Sequence, residues 1–139
     1  MTHPFFERLH SSFSAQSMMS TLGASLTEVQ DGTAVIEAPI LPGARQQHGF
    51  GHAGLTFAIG DSAAGYAALS VMPESFEVLT SEIKINLLAP AKGELLIATG
   101  KVIKSGRRLV IVTSEVVARD GDTDTLIAIL QGTMVPVPV

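Results

Sequence analysis

The run Ala53–Met72 consists of small and apolar residues and carries one formal charge, at Asp61. Pro73 follows directly, and because proline ends helices, the run predicts a single helix from Ala53 to about Val71. Its alanines and glycines have little side-chain bulk, which lets the backbone lie close against a surface that wraps around it. A helix this apolar must be covered by another layer, and the rest of the chain must supply that layer.

The same run is nearly long enough to span a bilayer. Asp61 and the interior glycines argue against a membrane span, and no Lys or Arg closely flanks the run. The first residues also lack the basic-then-apolar plan of a signal peptide. We therefore expect a buried core helix in a soluble, cytoplasmic protein with no membrane partner.

Composition excludes several classes of function. A length of 139 residues, 46% of them hydrophobic, predicts one domain spanning 1–139 with a sizeable core. The net charge is −4 and no basic stripe is present, so a nucleic-acid partner is not expected. The absence of cysteine excludes disulfides and thiolate catalysis, and with only four histidines we expect neither a metal site nor a cofactor.

The segments on either side of the run differ in periodicity. Pro4–Met19 predicts a short amphipathic helix with one face formed by Phe5, Phe6, Leu9, Phe13 and Met18. Asp31-Gly32 predicts the turn of a hairpin with the strands Leu22–Gln30 and Thr33–Ile40. After Pro73 the pattern is all strand, divided by turns into Phe76–Leu88, Glu94–Lys104, Arg107–Arg119 and Thr125–Val135. We expect an α+β fold, an antiparallel sheet of about five or six strands with the long helix inserted after the first hairpin.

Several local motifs accompany this order of elements: Gln46-x-x-Gly49-x-x-His52-Ala53-Gly54, Asp61 seven residues later, Leu88-Ala89-Pro90-Ala91, Gly106-Arg107-Arg108 and Gln131-Gly132-Thr133. Together, the motifs and the order resemble the hotdog-fold acyl-CoA thioesterases of the PaaI-like (phenylacetic acid degradation-type) family. In the hotdog fold a curved antiparallel β-sheet wraps around one long central α-helix. The resemblance extends over nearly the whole chain.

The resemblance implies hydrolysis of an acyl-CoA to a free acid and coenzyme A. The start of a helix has unpaired N–H groups and a partial positive charge, so the amides of Ala53 and Gly54 could stabilise the oxyanion. Asp61, about two turns further on, could act as general base or as nucleophile. It could instead cap a helix that restarts after Gly60, and the sequence leaves this reading open.

The family pattern implies supporting residues and reveals two departures. The family loop usually carries Asn where this chain has Gln46, and Gly where it has Ala53. A backbone N–H survives at Ala53, so we expect activity to be retained, and Gln46 would help to position the reacting groups. The resemblance also implies a hydroxyl near the acid, from Thr80 or Ser81.

Four other side chains have a structural and a functional reading. We expect His52 to hold the loop through its ring nitrogens, with substrate contact as the alternative. His48 lies outside the family pattern and is expected to be a solvated loop residue. Tyr66 and Phe57 are expected in the core rather than in an acyl pocket.

Coenzyme A and a second subunit are the partners that the resemblance implies. In similar proteins the turn that matches Ser105, Gly106, Arg107 and Arg108 often holds the coenzyme A phosphates. A charged pair at the start of a strand is equally often only solvated. Family members form homodimers, or tetramers made of two dimers, in which one subunit supplies the loop and helix start and its partner supplies the acid.

Two other functions remain compatible with the sequence. A non-catalytic acyl-CoA-binding protein would account for the departures at Ala53 and Gln46. A thioester hydratase or dehydratase would pair a histidine with a carboxylate, but such motifs place the pair differently from His52 and Asp61. The sequence does not select among aromatic, short-chain and medium-chain acyl groups.

Overall fold

The computed structural model of the protein describes residues 4–139; residues 1–3, which the expected single domain includes, lie outside this range. Within it, the order is helix, helix, two strands, helix, four strands. The helices are α1 (Pro4–Ser14), α2 (Ser17–Thr21) and α3 (Ala53–Leu69), and a 3-10 turn lies at Pro42–Ala44. The strands are β1 (Ser25–Gln30), β2 (Thr33–Pro39), β3 (Phe76–Leu87), β4 (Leu95–Ser105), β5 (Val110–Asp120) and β6 (Thr123–Pro138).

The strands form one antiparallel sheet in the order β1-β2-β4-β5-β6-β3, so β1 and β3 are its edges. The first hairpin turns at Asp31-Gly32 as predicted, and Gly32 has a φ of +82°, which glycine adopts without strain. The chain then leaves β2, forms α3 and returns on the opposite edge of the sheet as β3. The predicted fold, a curved antiparallel sheet around one long helix, is confirmed.

Helix α3 is buried against the inner face of the sheet, which it contacts on every strand. Small residues make this contact close. A Cβ on Gly100 of β4 would overlap the backbone of Ala63, and a Cβ on Gly60 of α3 would lie 2.9 Å from a methyl group of Leu130. The small side chains of the apolar run therefore let the sheet close tightly around the helix.

One face of α3 is left uncovered. Its exposed or half-buried residues recur at helical spacing: Ala53, Gly54, Phe57, Ala58, Asp61 and Ser62. Tyr66 is buried as predicted, but the prediction of a core position for Phe57 is wrong, because its side chain lies on this face and is 38% exposed.

The predicted N-terminal helix is two helices, because the chain turns at Gln16, which has the extended angles φ −79° and ψ 101°. The turn buries Met19 in place of Met18, which is 56% exposed. The first strand begins at Ser25 rather than Leu22, since Gly23, at a φ of +67°, closes the end of α2 and the amide of Ala24 returns to the carbonyl of Met19.

Other boundaries move by a few residues. Helix α3 ends at Leu69 rather than Val71, and β6 extends beyond both predicted ends. The larger change is in β5, which begins at Val110. Arg107 and Arg108 therefore do not start a strand as predicted; they lie in the turn before it.

Candidate active site

Asp61 lies near the middle of α3, on the uncovered face, and its side chain is half-buried. The helix is continuous from Ala53 to Leu69, so the interpretation of Asp61 as a cap for a restarted helix is wrong. Inside a helix the backbone N–H groups are already bonded to carbonyls, which leaves the carboxylate free to face outward. Asp61 therefore presents its oxygens to a cleft rather than to its own backbone.

Thr80 on β3 holds this carboxylate. Its hydroxyl donates to Asp61 Oδ1 at 2.8 Å and also lies 3.3 Å from Met134 Sδ. The pairing of β3 with β6 shifts by one residue between Thr80 and Glu82, so Ser81 is the extra residue of a β-bulge. The bulge reverses which side of β3 faces the helix: Val78 and Thr80 face it before the bulge, and Ile83 and Ile85 pack against the core after it. Of the two predicted hydroxyls, Thr80 is the one that bonds Asp61.

Two opposing effects act on the pKa of Asp61. Burial disfavours the charged form and raises its pKa above the usual 3.8, while the hydrogen bond from Thr80 lowers it; burial is the larger effect. A carboxylate with a raised pKa is a stronger base once it has lost its proton. This is the property required of a group that takes a proton from water.

The start of α3 has one unused backbone donor. His52 is the N-cap residue, and its Nδ1 accepts the Gly54 N–H at 2.7 Å, while its carbonyl accepts from Leu55. Among residues 4–139, nothing accepts a hydrogen bond from the Ala53 N–H. His52 is therefore structural, as predicted, but its ring caps the helix through Nδ1 rather than holding the loop. Ala53, rather than Gly54, has the free amide.

Gln46 is occupied within its own loop. Its Oε1 accepts from the backbone amides of His48 and Phe50, which leaves only its Nε2 available for a substrate.

The loop is fixed to the segment after β3, since the Gly51 amide donates to the Ala91 carbonyl at 2.8 Å. Two sequence motifs, the loop and Leu88-Ala89-Pro90-Ala91, thus meet at the start of α3. His48 is exposed, as predicted.

Ala53 and Asp61 line different clefts. Gln46, His52 and Ala53 line one of about 460 Å³, together with Leu87 and Ala89. Asp61 and Thr80 line a second, of about 210 Å³. Eight residues separate Ala53 from Asp61, which is about 12 Å along a helix axis. One thioester carbonyl cannot contact both groups of the same chain.

The turn Ser105–Arg108 lies at another end of the molecule, beside the C-terminal end of α3. Ser105, Gly106 and Arg107 line a cleft of about 170 Å³ with Met72 and Pro73. The Gly106 amide donates to the Leu109 carbonyl at 2.8 Å, which closes the turn. Arg107 and Arg108 are exposed, and no acidic group of residues 4–139 pairs with either. Both are thus available to an external anion.

A polar cluster that the sequence does not predict lies at the far end of the Asp61 cleft. Tyr66, whose ring is buried against Phe13, has its hydroxyl 3.0 Å from Ser12 Oγ and accepts from Gln16 Nε2 at 2.8 Å. Ser12 and Gln16 come from α1 and from the turn that follows it. The pattern of polar residues on α1 does not indicate which distant side chains they contact in the folded chain.

Within residues 4–139, no group of three acidic or histidine side chains is placed to hold a metal ion. None of the helices described is long and apolar enough to cross a membrane.

Comparison with known proteins gives consistent matches. The family model described as the thioesterase superfamily matches residues 48–125. A protein named as an esterase from Saccharolobus solfataricus is 32% identical over 108 residues, which are 77% of this chain and 76% of that protein. A 1,4-dihydroxy-2-naphthoyl-CoA hydrolase from Listeria monocytogenes is 30% identical over 91 residues, which are 65% of this chain and 73% of that protein.

Solved structures agree over almost the full length. A thioesterase family protein from Silicibacter pomeroyi has a TM-score of 0.95 at 36% identity, covering 97% of this chain and 99% of its own. The PaaI protein of the Escherichia coli phenylacetic acid degradation operon has a TM-score of 0.85 at 21% identity, covering 96% of this chain and 93% of its own. At that identity, the second match is a likeness of fold.

Proposed function

The chain belongs to the thioesterase superfamily, and from this premise we propose that it hydrolyses an acyl-CoA thioester to a free acid and coenzyme A. One observation carries the proposal: the half-buried Asp61 carboxylate, oriented by Thr80, lies on the same uncovered helix face as the free Ala53 amide. A base and an oxyanion donor are the two groups that acyl transfer to water requires.

The chemistry balances with these two groups. Asp61 accepts a proton from water as the water oxygen bonds to the thioester carbon, and the carbonyl oxygen becomes an oxyanion that the Ala53 N–H stabilises. The C–S bond then breaks, and the coenzyme A thiolate takes the proton that Asp61 received, which restores the carboxylate. In the alternative, Asp61 attacks the carbon directly and expels the coenzyme A thiolate, and water then cleaves the resulting anhydride to the free acid and the Asp61 carboxylate. Neither route requires a metal ion or cofactor.

The two groups come together if two subunits pair with their α3 helices antiparallel. A two-fold axis between such helices places Ala53 of one subunit opposite Asp61 of the other only if it passes near the residue midway between them, Phe57. Phe57 is the large exposed side chain on this face, so covering it also favours the dimer. A site shared in this way occurs twice per homodimer. Pairs of such dimers would give a tetramer.

The remaining residues have supporting roles in the proposal. His52 holds the amides at the helix start, the free Nε2 of Gln46 orients the water or carbonyl, and Gly54 leaves space for the thioester. Ser81 forms the bulge beside Thr80 and so helps to orient the Thr80 hydroxyl toward Asp61. Ser105, Gly106, Arg107 and Arg108 bind the phosphates of coenzyme A, the only ligand required besides water.

Hydrolysis of an acyl-CoA panel, followed by detection of the released thiol, tests the proposal. We expect turnover by the wild type and a loss of about 10²- to 10⁴-fold in Asp61→Asn and Asp61→Ala. Asp122→Asn is the matched control, because Asp122 is an exposed turn residue and should be neutral. Equal rates in wild type and both Asp61 variants would refute the assignment.

A non-catalytic acyl-CoA-binding protein is the second candidate. It is favoured by Gln46, whose carbonyl oxygen is committed to its own loop. Tight binding of coenzyme A esters without turnover on any member of the panel would select it.

A further inference from the structure

The cleft in front of Asp61 ends in a polar wall that hydrolysis itself does not use. Asp61 and Thr80 lie on one side, and the hydroxyls of Ser12 and Tyr66 with the amide of Gln16 lie on the other. Tyr66 is five residues beyond Asp61 on α3, about 7.5 Å along the helix axis. An acyl group whose carbonyl carbon is next to Asp61 would therefore extend toward this wall.

The hydrogen bonds of the wall leave two hydrogens and the Gln16 amide oxygen unused. Gln16 donates one Nε2 hydrogen to the Tyr66 hydroxyl, and in the contact between Tyr66 and Ser12 one hydroxyl donates and the other accepts. The two hydroxyls thus keep one hydrogen that neither uses, and Gln16 Nε2 keeps its second hydrogen. Gln16 Oε1 has no partner among residues 4–139. A ligand hydroxyl can accept from one of these hydrogens and donate to Gln16 Oε1.

The floor of the cleft is open. A Cβ built on Gly65 meets no atom within 4 Å, in contrast to Gly60, where it would press on Leu130. The cleft of about 210 Å³ holds roughly seven times the volume that one water occupies in the liquid. This space suits a short acyl group.

The charges around the cleft disfavour an acidic acyl group. Asp61 and Glu77 both line it; Glu77 is paired with Arg8 at 2.9 Å, whereas Asp61 has no cationic partner among residues 4–139. A second carboxylate on the ligand would face Asp61 and would offer no hydrogen to Gln16 Oε1. An alkyl end would cover the free donors and the acceptor without bonding them, which is also unfavourable.

We propose that the Ser12–Tyr66–Gln16 cluster selects short, uncharged acyl groups that carry a hydroxyl at their far end, an inference that rests on the proposed acyl-CoA hydrolysis. The cluster determines specificity; it does not take part in bond cleavage. Ser12 and Gln16 thereby give the N-terminal helices a role in substrate choice.

The test compares straight-chain acyl-CoAs of increasing length, each with and without a terminal hydroxyl. For the acyl chain that is just long enough to reach the wall, we expect kcat/KM of the wild type to be about 10-fold higher for the hydroxylated ester than for the plain ester. In Tyr66→Phe and in Gln16→Leu, this ratio should fall toward one. Ser11→Ala, on the exposed side of α1 and next to Ser12, should keep the wild-type ratio.

Gly65→Ala gives a second, independent measurement. The added methyl group meets no neighbour, so we expect the variant to fold normally and to lose kcat/KM progressively as the acyl chain lengthens. Equal rates on hydroxylated and plain esters at every length would overturn the inference while leaving the hydrolase assignment intact. No hydrolysis of any ester by the wild type would overturn both.

Discussion

The Thr80 hydroxyl donates to the Asp61 carboxylate at 2.8 Å, across the boundary between the edge strand and the central helix. This bond opposes the effect of burial on the same carboxylate, because it favours the charged form that burial disfavours. Burial is the larger effect, so Asp61 keeps a raised pKa and a fixed orientation together. Since Thr80 lies at a β-bulge, the register of β3 affects how the Asp61 carboxylate is oriented.

The first prediction concerns pH. If Asp61 is the proposed base or nucleophile, it acts only after losing its proton, so kcat/KM should rise with pH along a limb whose midpoint lies above pH 3.8. In Thr80→Val the bond that lowers the pKa is gone, so the limb should move to higher pH. Thr80→Ser, which keeps the hydroxyl, should leave the limb close to the wild-type position. A limb that does not move in Thr80→Val contradicts the role of Thr80.

The second prediction concerns stability. A pKa that is higher in the folded than in the unfolded state means that the folded protein binds more protons between the two values. Stability contributed by Asp61 is therefore lost as pH rises from about 3.8 through the folded pKa, and above that window the ionised group is destabilising. Asp61→Asn should thus raise the melting temperature at neutral pH while activity falls by about 10²- to 10⁴-fold. A lower melting temperature at neutral pH would contradict this.

The sequence predicts the central helix, and marks Asp61 as a candidate functional residue, because both signals lie in one continuous segment. That segment is a single apolar run with one charge, and Pro73 ends it. The hairpin at Asp31-Gly32 is predicted for the same reason. Features that depend on distant contacts are missed. The exposure of Phe57 follows from where the sheet stops, and the Tyr66 hydroxyl meets Ser12 and Gln16 only after α1 packs across α3.

The third prediction concerns coenzyme A. If Arg107 and Arg108 bind its phosphates, Arg107→Gln should raise KM for an acyl-CoA by about 10-fold and leave kcat nearly unchanged. The same variant should not affect a truncated thioester that lacks the nucleotide. The effect should weaken at high salt, because both side chains are exposed. A similar loss on the truncated substrate would place the defect at the reaction centre instead.

The fourth prediction concerns Phe57. A charge at this position would be buried without a partner if the α3 helices pair through it, so Phe57→Asp should yield a monomer that is inactive. Sedimentation measures the oligomeric state of the variant, and the hydrolysis assay measures its activity. Phe57→Leu, which keeps an apolar contact, should remain dimeric and active. An active Phe57→Asp monomer would show that one chain holds a complete site.

The fifth prediction tests directly whether the subunits share a site. Ala53 is the first residue of α3, where proline fits the helix, and His52 before it is extended, as a residue before proline must be. Ala53→Pro therefore removes the free N–H while keeping the fold, and its activity should fall by about 10²- to 10³-fold. Ala53→Ser, which keeps the N–H, should retain most activity.

Mixing then separates the shared site from a site within one chain. In a heterodimer of Ala53→Pro and Asp61→Asn, one site receives the intact amide and the intact carboxylate, while the other receives neither. Unfolding and refolding the two inactive variants together should make about half of the dimers mixed, each with one working site, so about 25% of wild-type activity should return. If amide and carboxylate act within one subunit, every site in the mixture lacks one of them and no activity returns.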